Sequence, residues 1–201
     1  MARTVDEARH RAKREQILHA AAGLFAAHGF DGTSTAAICR AAGISPGNLY
    51  HYFSSKREIF AAVVTDDDDE TAERLTAALA DDDPWDGLLG FVDHLVAPAA
   101  EPVVPNLVLE AMLQAYRDAE LARLLERDAQ DEQAGVAALV TRATDAGQIA
   151  PGLDAAHAAS WITTLVGMVY LRAALDEDFD PAEQMPTFHL LVERILRRRP
   201  D

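Results

Sequence analysis

The sequence is poorest in the residues on which disulfide, metal and membrane chemistry depend. Its 201 residues contain a single cysteine, Cys39. One thiol cannot close an intrachain disulfide, which fits a reducing compartment, and it has no partner thiol with which to hold zinc. No histidine pair stands at a metal-ligand spacing, so no metal site is expected. The Asp66–Asp69 run lacks the alternating ligands of a calcium loop and reads as a solvated face. Long apolar runs are missing too. The longest, Trp161 to Leu171, is interrupted by Thr163, Thr164 and Gly167 and is shorter than the roughly 20 residues a bilayer demands. Met1 to Lys13 is polar and charged, unlike a secretory leader, so a cytoplasmic protein with no membrane partner is expected. There is no Gly-rich phosphate loop, no nucleophile elbow and no carboxylate–histidine spacing of a metal hydrolase. These absences argue against a small helical enzyme and leave no cofactor to expect.

Strand signals are scarce as well. Sustained period-two alternation does not occur, while hydrophobic residues make up 49% of the chain at mostly helical spacing. The expectation is an all-α protein of about nine helices. The first runs from about Arg9 to His28, with Ile17, Ala21, Leu24, Phe25 and His28 on one face and Gly29 as its stop. Short helices follow over Thr35–Ala42 and Pro46–Tyr52, then a long one over Ser55–Leu79. Further helices are expected over Trp85–Val96, Asn106–Arg117, Ala119–Ala146, Ala155–Leu175 and Pro181–Arg198. Pro98, Pro102 and Pro105 mark 98–105 as a loop, and Ile149 to Gly152 reads as a turn.

The net charge of −15 appears unsuited to nucleic acid until it is divided. Residues 1–60 hold eight basic and five acidic side chains, a net of +3; the remaining residues hold ten and 28, a net of −18. Only the head is electrostatically fit to meet phosphate.

Residues 34–53 carry a specific pattern. Ala36, Ala37, Ala41 and Ala42 let another helix approach closely, and Ile38 supplies a core knob. Gly43 tolerates the sharp turn, and Ile44 plugs it. Ser45 caps the next helix, with Pro46 at its first position. Two helices joined by a short glycine turn form a helix-turn-helix. In the second of them Leu49 and Phe53 face inward. The outward residues are Gly47, Asn48, Tyr50 or Tyr52, and His51. Asn48 can pair in bidentate fashion with adenine. Tyrosine, histidine, Ser45 and the free helix amides suit phosphate. Lys56 adds a charge at the same end.

The segment closely resembles the DNA-binding domain of the TetR family of transcriptional regulators. The matching residues are Ile17–Phe25, Gly29-Phe30, Thr33 to Ile38, Ala42 to Ser45, Gly47, Leu49-Tyr50, Phe53 and Ser55-Lys56. Cys39 departs from the small residue common at its position and is expected to pack in the core. The resemblance implies phosphate contacts from Thr33, Tyr50, His51 and Lys56, and base-proximal roles for Ser45, Pro46, Gly47 and Asn48. Thr35 completes the DNA-binding set. Arg3, Arg9 and Arg11 are expected to form a basic arm toward an adjacent groove, on a weaker match. The division expected is residues 1–60 for DNA and 61–201 for ligand binding and dimerisation.

The acidic body resembles the family more loosely, at Ala146–Asp154 and Leu165–Arg172. There the resemblance implies a homodimer built on the last two helices. Ile162, Val166, Val169, Phe188, Leu191, Val192 and Ile195 are the expected interface, and Trp161, Leu165, Met168 and Arg172 form the other face of their helix. Two heads about 34 Å apart would read a palindromic double-stranded operator. A small-molecule effector is expected among Phe91, His94, Glu110, Met112, Tyr116, Trp161 and Met168, which mix apolar surface with a few polar groups. The resulting expectation is a repressor released by its ligand. An activator or co-ligand-dependent regulator of the same fold is the alternative. A protein-interaction module would instead be indifferent to Asn48→Ala and Lys56→Ala.

Overall fold

The computed structural model describes residues 2–65, 68–149, 152 and 154–196. In chain order the helices are α1 (Ala2–Gly32), α2 (Thr35–Ala41), α3 (Pro46–Tyr52), α4 (Lys56–Thr65), α5 (Asp68–Leu79), α6 (Pro84–Val96), α7 (Val104–Ala115), α8 (Ala119–Asp145), α9 (Ala155–Leu175) and α10 (Pro181–Leu196). The all-α expectation holds. Of the helix expected over Ser55–Leu79, Lys56–Thr65 (α4) and Asp68–Leu79 (α5) are described as helical. Asp66 and Asp67 lie outside the described residues, as do Ala150 and Pro151 of the expected turn, Leu153, and the stretch to Arg198. Residues 98–105 are not simply a loop. Ala97–Ala100 is a 3-10 turn, and Pro105 falls in the first turn of α7, where its missing N–H has no intrahelical partner to lose.

The helices divide into two units. The first comprises Met1–Asp66 and Asn106–Ala122, so it contains all of α4 and takes in most of α7, a wider extent than the expected boundary at residue 60. Ile17, Ala21 and Phe25, one turn apart on α1, are fully buried with Ile38, Ile59 and Phe60, whereas His28 is exposed. Phe25 and Phe30 each meet Phe60 edge-on, at 5.0 and 5.3 Å. Such ring pairs add about 0.5–1.5 kcal/mol beyond the area they bury.

The second unit comprises Asp67–Pro105 and Arg123–Asp201. Asp83 starts α6 by accepting the amides of Trp85 and Asp86, at 2.8 and 3.3 Å. Trp85, Leu88, Phe91 and Val92 of α6 pack with Val136, Leu139 and Val140 of α8, Ile162 and Val166 of α9, and Phe188 and Val192 of α10. A Cβ on Gly87 would overlap the Ala78 carbonyl, so glycine is what lets α6 approach the end of α5. The 21-residue α9 is long and apolar enough to cross a membrane, unlike the shorter run read from sequence. Here it serves as a core helix: Ile162, Val166 and Val169 are buried in the unit's own interior.

Candidate nucleic-acid interface

The first unit builds its exposed helix from beneath. Gly29 adopts φ 68°, which ends the first run of α1 and turns the chain. Thr33 is 2% exposed, and its hydroxyl contacts the carbonyls of Leu24 and Gly29 at 3.1 and 2.8 Å. The Lys56 ammonium donates to the carbonyls of Phe30 and Thr33 at 2.6 and 2.8 Å and stands 4.2 Å from the Phe30 ring centroid. Ser34 then caps α2 by accepting the Ala37 amide. Gly43, at φ 61°, makes the turn, and the Ile44 amide returns to the Cys39 carbonyl at 3.0 Å. Cys39 is buried, as expected. Ser45 caps α3 by accepting the Asn48 amide at 3.3 Å. Leu49 and Phe53 are buried, and the Arg14 guanidinium covers the Phe53 ring at 5.5 Å. Gln16 donates to the Ala42 carbonyl at 2.9 Å, tying α1 to the end of α2.

This scaffold leaves Ser45, Pro46, Gly47, Asn48, Tyr50 and His51 exposed together on α3, with Thr35 half-buried on α2. Tyr50 is the outward tyrosine, at 55% exposure; Tyr52 is half-buried. Around Gly47 a Cβ would meet nothing, so the protein itself does not require glycine there. The Asn48 carboxamide has no partner among the described residues, which leaves its donors and acceptor free for a base edge. Arg9, Arg11 and Arg40 are exposed. The expected basic arm is helical, because α1 begins at Ala2; the Arg3 side chain is outside the described set.

Two members of the expected DNA-binding set already have partners within the head. Thr33 is buried with its hydroxyl engaged, so it fixes the turn and presents no hydroxyl to phosphate. Lys56 spends two donors on backbone carbonyls. Both residues shape the head. Their match to a family motif gave no means of separating shaping from contact.

The residues expected to line a ligand site divide between the two units. Phe91 is core in the second unit, with the His94 ring 6.3 Å away and the His94 Nε2 3.4 Å from the Thr71 hydroxyl. Trp161 and Met168 of that unit are exposed. Glu110, Met112 and Tyr116 belong to the first unit. There the Glu110 carboxylate accepts the Phe30 amide at 2.8 Å and the Gln114 carboxamide at 2.9 Å, while Met112 and Tyr116 face outward. Arg57 adds ion pairs to Asp118 at 2.6 Å and Glu120 at 2.9 Å. The amide of Leu121 and the guanidinium of Arg57 hold the Asp118 carboxyl below the usual range. Sequence gave no sign of this network, whose partners lie some sixty to eighty residues apart.

Most of the residues expected at a dimer interface are buried within the second unit. Ile162, Val166, Val169, Phe188 and Val192 are buried in the unit's own core, and Ile195 is half-buried. The outward apolar side chains are Trp161, Met168 and Leu175 on α9 and Leu190 and Leu191 on α10. Of the seven residues expected, only Leu191 is among them. Both faces of α9 are apolar, so periodicity located two faces without saying which one the chain covers itself.

Residues 17–63 match the family described as bacterial regulatory proteins, tetR family, and residues 84–197 match the BetI-type transcriptional repressor C-terminal family. The HTH-type transcriptional regulator UidR of Escherichia coli K12 is 31% identical over 152 residues, covering 71% of this chain and 72% of that protein. The structure of Salmonella enterica GusR aligns with a TM-score of 0.75 at 26% identity, over 92% of this chain and 96% of that one. FadR of Bacillus halodurans, described as a fatty acid degradation regulator, aligns with a TM-score of 0.80 at 22% identity, over 93% and 97%.

Proposed function

The chain belongs to the tetR family of bacterial transcriptional regulators, and from that premise we propose that it is a homodimeric operator-binding repressor released by a small-molecule effector. The observation that carries the reading is the row Ser45, Pro46, Gly47, Asn48, Tyr50 and His51, exposed on a helix whose underside is locked by Leu49 and Phe53. Asn48 is assigned to base readout, where one good bidentate pair discriminates by about 1–3 kcal/mol. Ser45, Tyr50, His51 and Thr35 are assigned to phosphate, with Arg40 as an added cation. A second copy of the chain covers Trp161, Met168, Leu175, Leu190 and Leu191, which supports a two-fold operator.

The effector binds the second unit, and of the residues first considered Phe91 and His94 remain its candidates. An effector that favours the non-binding conformation by about 1–3 kcal/mol would weaken operator affinity roughly 5–150-fold. The test is fluorescence anisotropy of the purified protein with duplexes drawn from the intergenic DNA beside its own gene, and with a random-sequence pool. Salt-sensitive binding by the dimer, lost in Tyr50→Ala, is the expected result. Absence of binding to both sources would refute it.

A further inference from the structure

His10 is on α1, outside the helix-turn-helix, and no sequence pattern links it to recognition. In the structure its ring lies against α3. Its centroid is 4.6 Å from that of Tyr52 with the planes tilted 40°, and it stands edge-on to His51 at 6.2 Å. His51 in turn meets Tyr52 edge-on at 5.3 Å. His10 and His51 are both exposed.

The described charged residues of α1 near this cluster are Arg9, Arg11, Lys13, Arg14 and Glu15, while the side chains of Asp6 and Glu7 lie outside the described set. Lys13 is turned to Gln16 at 3.0 Å, and Arg14 lies over Phe53 at 5.5 Å with Glu58 of α4 also near it. On α3 the titratable neighbours are His51 and Tyr52 themselves. Among the described residues no carboxylate pairs with either imidazole. A phosphate set against two neighbouring imidazoles supplies a negative charge that favours their protonated forms. The face of Tyr52 also favours an imidazolium over it.

We infer that His10 is a DNA-contacting residue that acts with His51 as a proton-dependent phosphate-binding pair at the end of the recognition helix. The inference rests on the operator-binding reading above. Protons are taken up on binding, so affinity rises as pH falls through the range in which imidazoles as a class change charge, about pH 5 to 8. The sign follows from linkage: the state that binds more protons, here the complex, gains as pH falls. One imidazole whose proton affinity rises about tenfold in the complex contributes roughly sixfold between pH 8 and pH 6. With a pair in each head of the dimer, the expected gain is at least tenfold.

The probe is a duplex recovered by the native full-length protein from a random-sequence pool at pH 7. Its Kd is measured by anisotropy at pH 6, 7 and 8 and constant ionic strength, for native protein, His10→Gln and His10→Phe. The native Kd should fall at least about tenfold from pH 8 to pH 6. Both variants should match native affinity at pH 8 and lose most of the gain at pH 6. Thermal unfolding at each pH checks that they stay folded. A native slope in either variant, or an equal loss at pH 6 and pH 8, would overturn the assignment; the second result would make His10 a packing residue only. A flat native profile on a duplex that binds sinks this inference alone. Recovery of no duplex sinks the operator-binding reading and this inference with it.

Discussion

Replacing Trp161 with glutamate should dissociate the protein without unfolding it. Trp161 is 60% exposed on the outward face of α9. A tryptophan presents up to about 250 Å², so roughly 150 Å² awaits cover. At about 25 cal/mol per Å² that is near 4 kcal/mol per copy. Two-fold symmetry counts the residue twice, for about 7 kcal/mol. Area does not convert fully into affinity, because association costs motion and polar desolvation. Taking half leaves about 3–4 kcal/mol, a rise in dimer Kd of two to three orders of magnitude. Sedimentation velocity across roughly 0.1–100 µM reads this shift, and circular dichroism reports the fold. The control is Ile162→Ala on the opposite side of the same helix. Ile162 is 0% exposed, so its truncation should cost about 2–5 kcal/mol of unfolding free energy. Its effect should appear in the melting curve first. A Trp161→Glu protein that stays dimeric at native affinity would refute the assignment of faces. So would an Ile162→Ala protein that dissociates with an unchanged melting temperature.

Three further outcomes test the head. Lys56→Met should lower stability by about 2–4 kcal/mol, since two charge-assisted bonds to carbonyls are lost; operator affinity should weaken at all salt concentrations with an unchanged salt slope, and a slope reduced by about one would return Lys56 to the phosphate contacts. Gly29→Ala should destabilise by about 1–2 kcal/mol in urea unfolding, because a side chain at φ 68° is strained and its Cβ would stand 3.2 Å from a Glu110 carboxylate oxygen. Asp118 has a depressed pKa, so its contribution is present above the ordinary carboxylate range and fades as pH falls through its lowered value. Native protein should therefore lose melting temperature on acidification below about pH 4, and Asp118→Asn should lose less over the same interval.

The head was legible because its local chemistry is redundant. Ser45, Pro46, Gly43 and the Leu49–Phe53 pair each specify the same turn and helix, and the structure agrees with all of them. The breaks were less legible. Pro105 looked like part of a loop, yet proline is equally at home in a first helical turn, which is where it stands in α7. The body was legible as helices but not as faces. A helix apolar on several sides obeys no rule about which side its own chain will cover, and in α9 the residues expected toward a partner are the ones its own unit buries.

Glu110 marks the limit more sharply. In sequence it is an acidic residue in an apolar helix, a fair candidate for a polar group in a cavity. Its carboxylate instead accepts the Phe30 amide, eighty residues away in the chain. That amide is available because Gly29 ends the helix and turns the next N–H outward. Lys56 closes the same junction from its carbonyl side, at Phe30 and Thr33. The C-terminal end of α1 is thus held by an anion on an amide and a cation on two carbonyls, each matched to the partial charge it meets. The family resemblance groups the glycine, the threonine and the lysine with the residues expected to meet DNA. Only the bonds separate them from the residues that face outward. A hydroxyl or ammonium already committed to backbone, against a carboxamide with no partner among the described residues, is what distinguishes Thr33 and Lys56 from Asn48.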